Sequence, residues 1–180
     1  MSPKKALKYM KTTILDALVF SKDDSTKVGA KIISEDNEPL AMGYNGFPRG
    51  IDDNVVKRKQ RPIKYKWSEH AERNAIYNTS ANLKGSTMIV TDMPCCDCAR
   101  AIVQKKIKTV ITLDPSPDMK LRWSEDFEIT QEMFAEAGVE LIVLPYTKAQ
   151  LMQELMLEIN QFIDHENNKN NAVLLGAPAP

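Results

Sequence analysis

Apolar residues recur at helical spacing near the start of the chain, where Ala6, Leu7, Met10, Ile14, Leu15 and Leu18 fall on one stripe. The period then changes. "VGAKIIS", "EDNEP" and "LAMGYNG" read as strand, turn and strand, because apolar and β-branched runs flank a cluster of turn formers. "SEHAERNAIYNTS" returns to helix formers around Ala71, Ala75 and Ile76, and "STMIVTDM" is a short buried strand. "PCCDCARAIVQKK" predicts a helix with Pro94 in its first turn, where a missing N–H costs nothing. "TVITLD" and "VELIVLP" are two further strands around the amphipathic "WSEDFEITQEMFAEAG", whose closing Gly138 suits a helix C-terminus. A last helix carries Leu151, Leu155, Ile159 and Phe162 in a stripe, and the final "NNKNNAVLLGAPAP" has no pattern.

Strands alternating with helices imply an α/β fold whose sheet is covered on both faces. With 180 residues, of which 43% are hydrophobic, the chain can bury a full core without staples. The expectation is one domain over residues 1–166, with 167–180 loose or packed on a neighbouring subunit. Lysine plus arginine (24) balance aspartate plus glutamate (24), so no global field exists to hold a polyanion, which argues against a nucleic-acid partner. No apolar run is long enough to span a bilayer, and no small-residue cleavage site follows the lysine-rich start, so neither a membrane nor a signal peptide is expected. All three cysteines lie in "PCCDC" with no second cluster to pair with, which points away from a disulfide framework and toward a reducing cytoplasm.

That cluster is the chemical signal. On a helix starting near Pro94, Cys95 and Cys98 lie about 60° apart and can share a metal, whereas Cys96 points elsewhere and reads as a small apolar filler. A redox Cys-x-x-Cys pair would use the same two thiols, and a third ligand decides between the readings. Of the two histidines, His165 sits in the polar "IDHENNKN" and reads as a solvated helix-end residue. His70 opens "HAE", with Glu72 two positions on. Together they complete the H-x-E…P-C-x-x-C pattern of zinc nucleobase deaminases. One imidazole and two thiolates leave tetrahedral zinc a position for water, which is a catalytic rather than a structural ligand count. Glu72, not needed as a ligand, is free to shuttle protons. Positions 70 and 72 diverge by about 200° on an ideal helix, so His70 is expected in the non-helical entry turn.

"SKDDSTKVGA", "GYNGFPRG", "HAERNAIYN" and "PCCDCARAIV", in this order, closely resemble the deoxycytidylate (dCMP) deaminase family, over about Phe20 to Tyr146. The resemblance implies a three-layer α/β/α fold around a five-stranded mixed sheet, with Zn2+ on His70, Cys95 and Cys98 and Glu72 as catalytic proton shuttle. It implies hydrolysis of dCMP to dUMP and ammonia, supplying thymidylate synthesis, by a homo-oligomer that is commonly a hexamer. By position, Asn45 would bond the deoxyribose and the Ala71 backbone would read the cytosine edge. Ser21, Lys22 and Lys27 become candidates for phosphate contact. Trp123 or Phe127 would stand in for the tyrosines that stack the base in many members. Regulation by dCTP and dTTP, frequent in the family, makes Gly43, Tyr44, Gly46 and Arg49 of "GYNGFPRG" candidate effector residues. "VVKRKQRPIKYKW", with Lys57, Arg58, Lys59, Arg61, Lys64 and Lys66, reads as a solvated charged loop, the alternative being a nucleotide or subunit contact. The alternatives are a deaminase of another cytosine nucleotide or of tRNA adenosine, a non-catalytic zinc-stabilised module, and a disulfide oxidoreductase, which expects no zinc.

Overall fold

The computed structural model describes the backbone of residues 1–174 and the side chains of residues 1–169. Residues Met1–Thr147 form one compact unit, and a second unit begins at Lys148. The elements of the first unit run α1 (Pro3–Phe20), β1 (Gly29–Ile33), β2 (Pro39–Tyr44), α2 (Lys64–Trp67), α3 (Ala71–Tyr77), β3 (Thr87–Val90), α4 (Cys96–Gln104), β4 (Thr109–Leu113), α5 (Pro117–Arg122), α6 (Ser124–Ala137) and β5 (Glu140–Leu144). A 3-10 turn, Val56–Lys59, precedes α2.

The five strands make one mixed sheet in the order β2-β1-β3-β4-β5. β1 pairs antiparallel with both β2 and β3, while β3, β4 and β5 are parallel. The parallel strands need helical crossovers, which α4 and then α5 with α6 supply. β3 and β4 are buried along nearly their whole length, as strands covered on both faces must be.

The alternation along β1 assigns the layers. Ala30 and Ile32 point into a core with Ala71, Ala75 and Ile76 of α3, Ala99 and Ile102 of α4, and Phe134 of α6. Gly29 and Lys31 face the other way, toward α1. A Cβ on Gly29 would come 2.5 Å from the Thr13 carbonyl oxygen, and Lys31 bonds Thr12 and Asp16. The three-layer expectation holds. The α1 stripe is shifted from the expected one: Met10, Ile14 and Ala17 are buried, whereas Leu18 is 43% exposed at the fraying end. Gly138 ends α6 in the left-handed conformation at φ 69°, as its position predicted.

The second unit carries α7 (Lys148–Leu174). The two compact units divide at 147/148, within the single domain expected over 1–166, and α7 continues through 167–174, the start of the stretch expected to be loose or packed on a neighbouring subunit. No glycine or proline stands before Gly176 to stop it. The rest of the expected tail, 175–180, lies outside the described residues. On α7 Leu151 is buried, but Phe162 is exposed, so the predicted stripe is only partly covered.

Candidate metal and active site

Two helix starts build the centre. His70 is the N-cap of α3, with extended backbone (φ −82°, ψ 153°) and no capping bond from its side chain. The non-helical entry turn expected from the spacing is therefore present, and it lets His70 and Glu72 face the same point. Cys95 is the N-cap of α4 and is likewise extended (φ −77°, ψ 169°), again with no side-chain cap. Pro94 precedes the cap instead of occupying the first turn. Cys95 thus reaches the site from outside the helix, and Cys98 reaches it from the third helical position, where side chains lean back toward the N-terminus. The expected 60° pairing on one helical face is corrected accordingly.

His70 Nδ1 lies 3.3 Å from Cys95 Sγ and 3.5 Å from Cys98 Sγ. Zinc bonds of about 2.0 Å to nitrogen and about 2.3 Å to sulfur at a tetrahedral angle would separate N and S by about 3.5 Å. The donor atoms of all three residues fall within 4.8 Å of one another, so soft thiolates and an imidazole stand at zinc-ligating distances. Among the described residues these three are the only group of at least three His, Cys, Asp or Glu side chains arranged to hold a metal. Cys96 is half-buried rather than a core filler: its N–H donates to Asp126 Oδ1 at 3.3 Å, and the same carboxylate holds its thiol above the ordinary range. His165 is exposed on α7.

Without metal, the site already stores charge. The hydrogen bond with Cys98, and then the His70 imidazolium, lower the Cys95 thiol to about 4, with burial opposing. The Cys95 thiolate in turn raises His70 to about 9 and keeps Cys98 protonated. Two uncapped helix N-termini favour such anions. Glu72, only 4% exposed, is pushed up to about 7 chiefly by burial, with the His70 charge working against it. A carboxyl in that range both takes and gives a proton near neutrality. Behind the ligands, Glu69 accepts from the His70 backbone N–H at 3.0 Å and from Arg73, whose guanidinium also pairs with Asp97 of α4 at 3.5 Å. This links the two ligand-bearing helices.

The centre opens into a cleft. His70, Ala71, Glu72, Cys95, Asn45 and Trp123 all line it, as does Phe127. Asn45 is nearly saturated: Oδ1 accepts from Ser21 Oγ (2.6 Å) and the Val28 N–H (2.9 Å), and Nδ2 donates to the Thr26 carbonyl (2.7 Å). Only its long 3.4 Å bond to Asp23 is available for exchange with a ligand.

Several expected contacts do not reach the cleft. Ser21 is buried behind Asn45, and Lys27 donates to the Ser21 carbonyl at 2.7 Å. Lys22 pairs with Asp53 in a second cleft with Gly46, Phe47 and Lys59. Gly43 packs on α3, where a Cβ would sit 2.3 Å from the Ala71 carbonyl oxygen and the Ala75 nitrogen. Tyr44 stacks on Phe20 at 5.7 Å, and Arg49 reaches Asn78 at the surface.

Other lining residues escaped the sequence pattern: Arg61, Lys64 and Tyr65 beside or on α2, and Met119 and Arg122 on α5. The charged run before α3 is therefore not simply a solvated loop. Lys64 is buried there, 2.6 Å from an oxygen of Asp23. α5 did carry a signal. Ser116, Pro117 and Asp118 make an N-cap, first-turn proline and first-turn carboxylate, and Ser116 Oγ accepts from the Met119 N–H.

Residues 3–114 match the family model for the cytidine and deoxycytidylate deaminase zinc-binding region. The chain is 40% identical over 126 residues to an uncharacterized deaminase in the luxG 3′ region of Aliivibrio fischeri, covering 70% of this chain and 84% of that one. It is 38% identical over 125 residues to mouse (Mus musculus) deoxycytidylate deaminase, covering 66% and 68%. In structure it resembles the dCMP deaminase of cyanophage S-TIM5, solved with dCMP and dUMP, with a TM-score of 0.63 and 28% identity over 80% of this chain and 99% of that one.

Proposed function

The chain belongs to the cytidine and deoxycytidylate deaminase family, and from that membership we propose that it hydrolyses dCMP to dUMP and ammonia with zinc on His70, Cys95 and Cys98. The observation that carries this reading is the buried Glu72 carboxyl lining the same cleft as His70 and Cys95 of the His70, Cys95 and Cys98 group, beside relatives named deoxycytidylate deaminase.

Bound zinc supplies a Lewis acid that brings the pKa of water from about 15.7 to about 7. Glu72 takes a proton from water and delivers it to N3 of the cytosine. It then passes a second proton to the departing amine, so that cytosine and water become uracil and ammonia. Burial, which penalises the carboxylate, suits Glu72 to the proton-accepting and proton-giving roles. The backbone N–H of Ala71 reads the base edge in this proposal, supported by its position in the first turn of α3, where helical N–H groups lack internal partners. Asn45 exchanges its long Asp23 bond for the deoxyribose, and Trp123, held edge-on by Tyr65 at 5.8 Å, stacks on the base with Phe127.

The same reading includes a cytoplasmic homo-oligomer. Its support is the free thiols and the apolar end of α1, where Val19 is 71% exposed beside Leu18 and Phe20. Of the residues first considered for dCTP and dTTP, Gly46 retains a location, because its cleft shares Asp23 and Lys64 with the substrate cleft.

Ammonia release from dCMP by zinc-loaded protein tests the reading. Glu72→Gln is expected to keep its zinc and lose about 10²- to 10⁴-fold in kcat. Consumption of another cytosine nucleotide or of tRNA adenosine but not dCMP would overturn the substrate assignment. Unchanged kcat in Glu72→Gln would remove the shuttle.

A further inference from the structure

The metal ligands come from two helix starts, and each start is strapped to a different neighbour. Glu69 and Gly46 exchange backbone hydrogen bonds of 2.8 and 3.1 Å, and Asn74 Nδ2 donates to the Tyr44 carbonyl at 2.7 Å, which fixes the start of α3 to the end of β2. Thr130 Oγ1 donates to the Pro94 carbonyl at 3.1 Å, and Asp126 accepts from the Cys96 N–H, which fixes the start of α4 to α6. Neither strap sets the gap between His70 and the two thiols.

One side chain spans that gap. Arg73 Nε donates to Glu69 Oε1, the same oxygen that accepts from the His70 N–H at 3.0 Å, and Arg73 Nη1 stands 3.5 Å from Asp97 Oδ2, in the turn between Cys95 and Cys98. Outside the ligands and Glu72, this is the only polar side-chain contact between α3 and α4 among the described residues. The Glu69 half is sheltered, with side chains 20% and 21% exposed, whereas Asp97 is 52% exposed and also pairs with Arg100, so the second half is the weaker one. None of the three residues lines the substrate cleft. Resting on the zinc assignment above, we propose that Arg73 is a positioning residue. By joining Glu69 to Asp97 it holds the His70 backbone at a set distance from the Cys95–Cys98 turn, so that the three donors stand at ligating separation before a metal arrives. A guanidinium fork can join two carboxylates in this way, and a single ammonium cannot.

Arg73→Met, Arg73→Lys and Asp97→Asn test this, with circular dichroism as the check on folding and competition with a chromophoric chelator as the measure of zinc affinity. Arg73→Met is expected to weaken zinc binding by about tenfold to a hundredfold, the usual cost of losing a group that orients a ligand. Asp97→Asn should weaken it by about twofold to fivefold, as suits a half-exposed pair. The double variant should bind no more weakly than Arg73→Met alone, because the tie is already cut. Arg73→Lys should recover only part of the loss. In the Co2+-loaded protein, Arg73→Met should shift the absorption bands that report ligand geometry, which a mere loss of stability would leave in place. At saturating zinc, KM for dCMP should stay near the wild-type value and the loss should appear in kcat, since Arg73 lies outside the cleft. A folded Arg73→Met protein with wild-type zinc affinity or an unshifted Co2+ spectrum overturns the proposal, as does full recovery in Arg73→Lys. Where Arg73→Met does not fold, Asp97→Asn decides, and unchanged zinc affinity there overturns it. Failure of the zinc-loaded wild type to release ammonia from dCMP would overturn the deaminase reading instead, while the metal titrations still decide the role of Arg73.

Discussion

Lys64 and Asp23 close one side of the substrate cleft with an ion pair whose side chains are only 10% and 7% exposed. Replacing Lys64 by Met keeps most of the aliphatic stem and removes the charge. A buried pair deprived of one partner costs about 3–5 kcal/mol, because the other charge stays desolvated. Asp23 retains bonds from the Ser25 N–H (2.9 Å), Ser25 Oγ (3.0 Å) and the Thr26 N–H (3.0 Å), so the loss should fall toward about 2–3 kcal/mol. For a domain of this size that is a drop in Tm of about 5–10 °C. Asn45 leans on the same carboxylate, so KM for dCMP should rise as well. Urea unfolding at fixed protein and zinc concentration reads the first effect, and steady-state kinetics read the second. Asp23→Asn combined with Lys64→Met should recover at least about 1 kcal/mol over the sum of the single losses, since neither charge is then stranded. A Lys64→Met loss below about 0.5 kcal/mol, or full additivity in the double variant, would refute the reasoning.

Gly43→Ala is expected to cost about 1–3 kcal/mol in urea unfolding and to lower kcat, because its Cβ meets the Ala71 and Ala75 backbone and must displace the helix that presents His70 and Glu72; a wild-type kcat and midpoint would contradict that packing. The Asp23 carboxyl is pushed up by burial, but its bonds from Lys64, Ser25 and Thr26 prevail and hold it below the ordinary 3.8. On acidification the unfolded chain therefore binds the proton first. The stability contributed is complete above about pH 4 and is lost as pH falls through the lower folded value. Chelated, metal-free Asp23→Asn should accordingly show a shallower loss of stability over this acid range than chelated wild type, and equal slopes would exclude the assignment.

What could be read ahead of the structure depended on how locally each feature is encoded. The strand and helix periods of β1, β2, α3, β3 and α4 and the left-handed cap at Gly138 are written within a few residues, so they were legible, whereas α2 was read as a charged loop. The metal set was legible because its spacing across a helix and a strand is chemically constrained. Lys64 was not, since its burial depends on an aspartate 41 positions away that only the fold brings near. The same holds for Ser21 and Lys27. Their residue types suit a phosphate, but Asn45 and the 21–28 backbone claim them first. Gly43 carries two meanings in sequence, since close approach of backbone to a ligand and to a helix ask for the same absent Cβ, and here it packs on α3.

The placement of the ligands explains why so few residues encode the centre. A helix start normally carries Ser, Thr, Asp or Asn, and lacking one costs about 0.5–2 kcal/mol. α3 and α4 place His70 and Cys95 there instead, and neither side chain caps its own helix. The first turns of both helices thus lie beside a site that must hold thiolates, where the positive ends of the helix dipoles favour negative charge. Extended backbone at each N-cap swings the ligand out of the helical path, and the next helical positions then deliver Glu72 and Cys98 to the same point. The chemistry is thus a property of two adjacent helix starts on the sheet. Lys64 and Tyr65 of α2 and Met119 and Arg122 of α5, which the fold brings around them, complete the lining of the cleft.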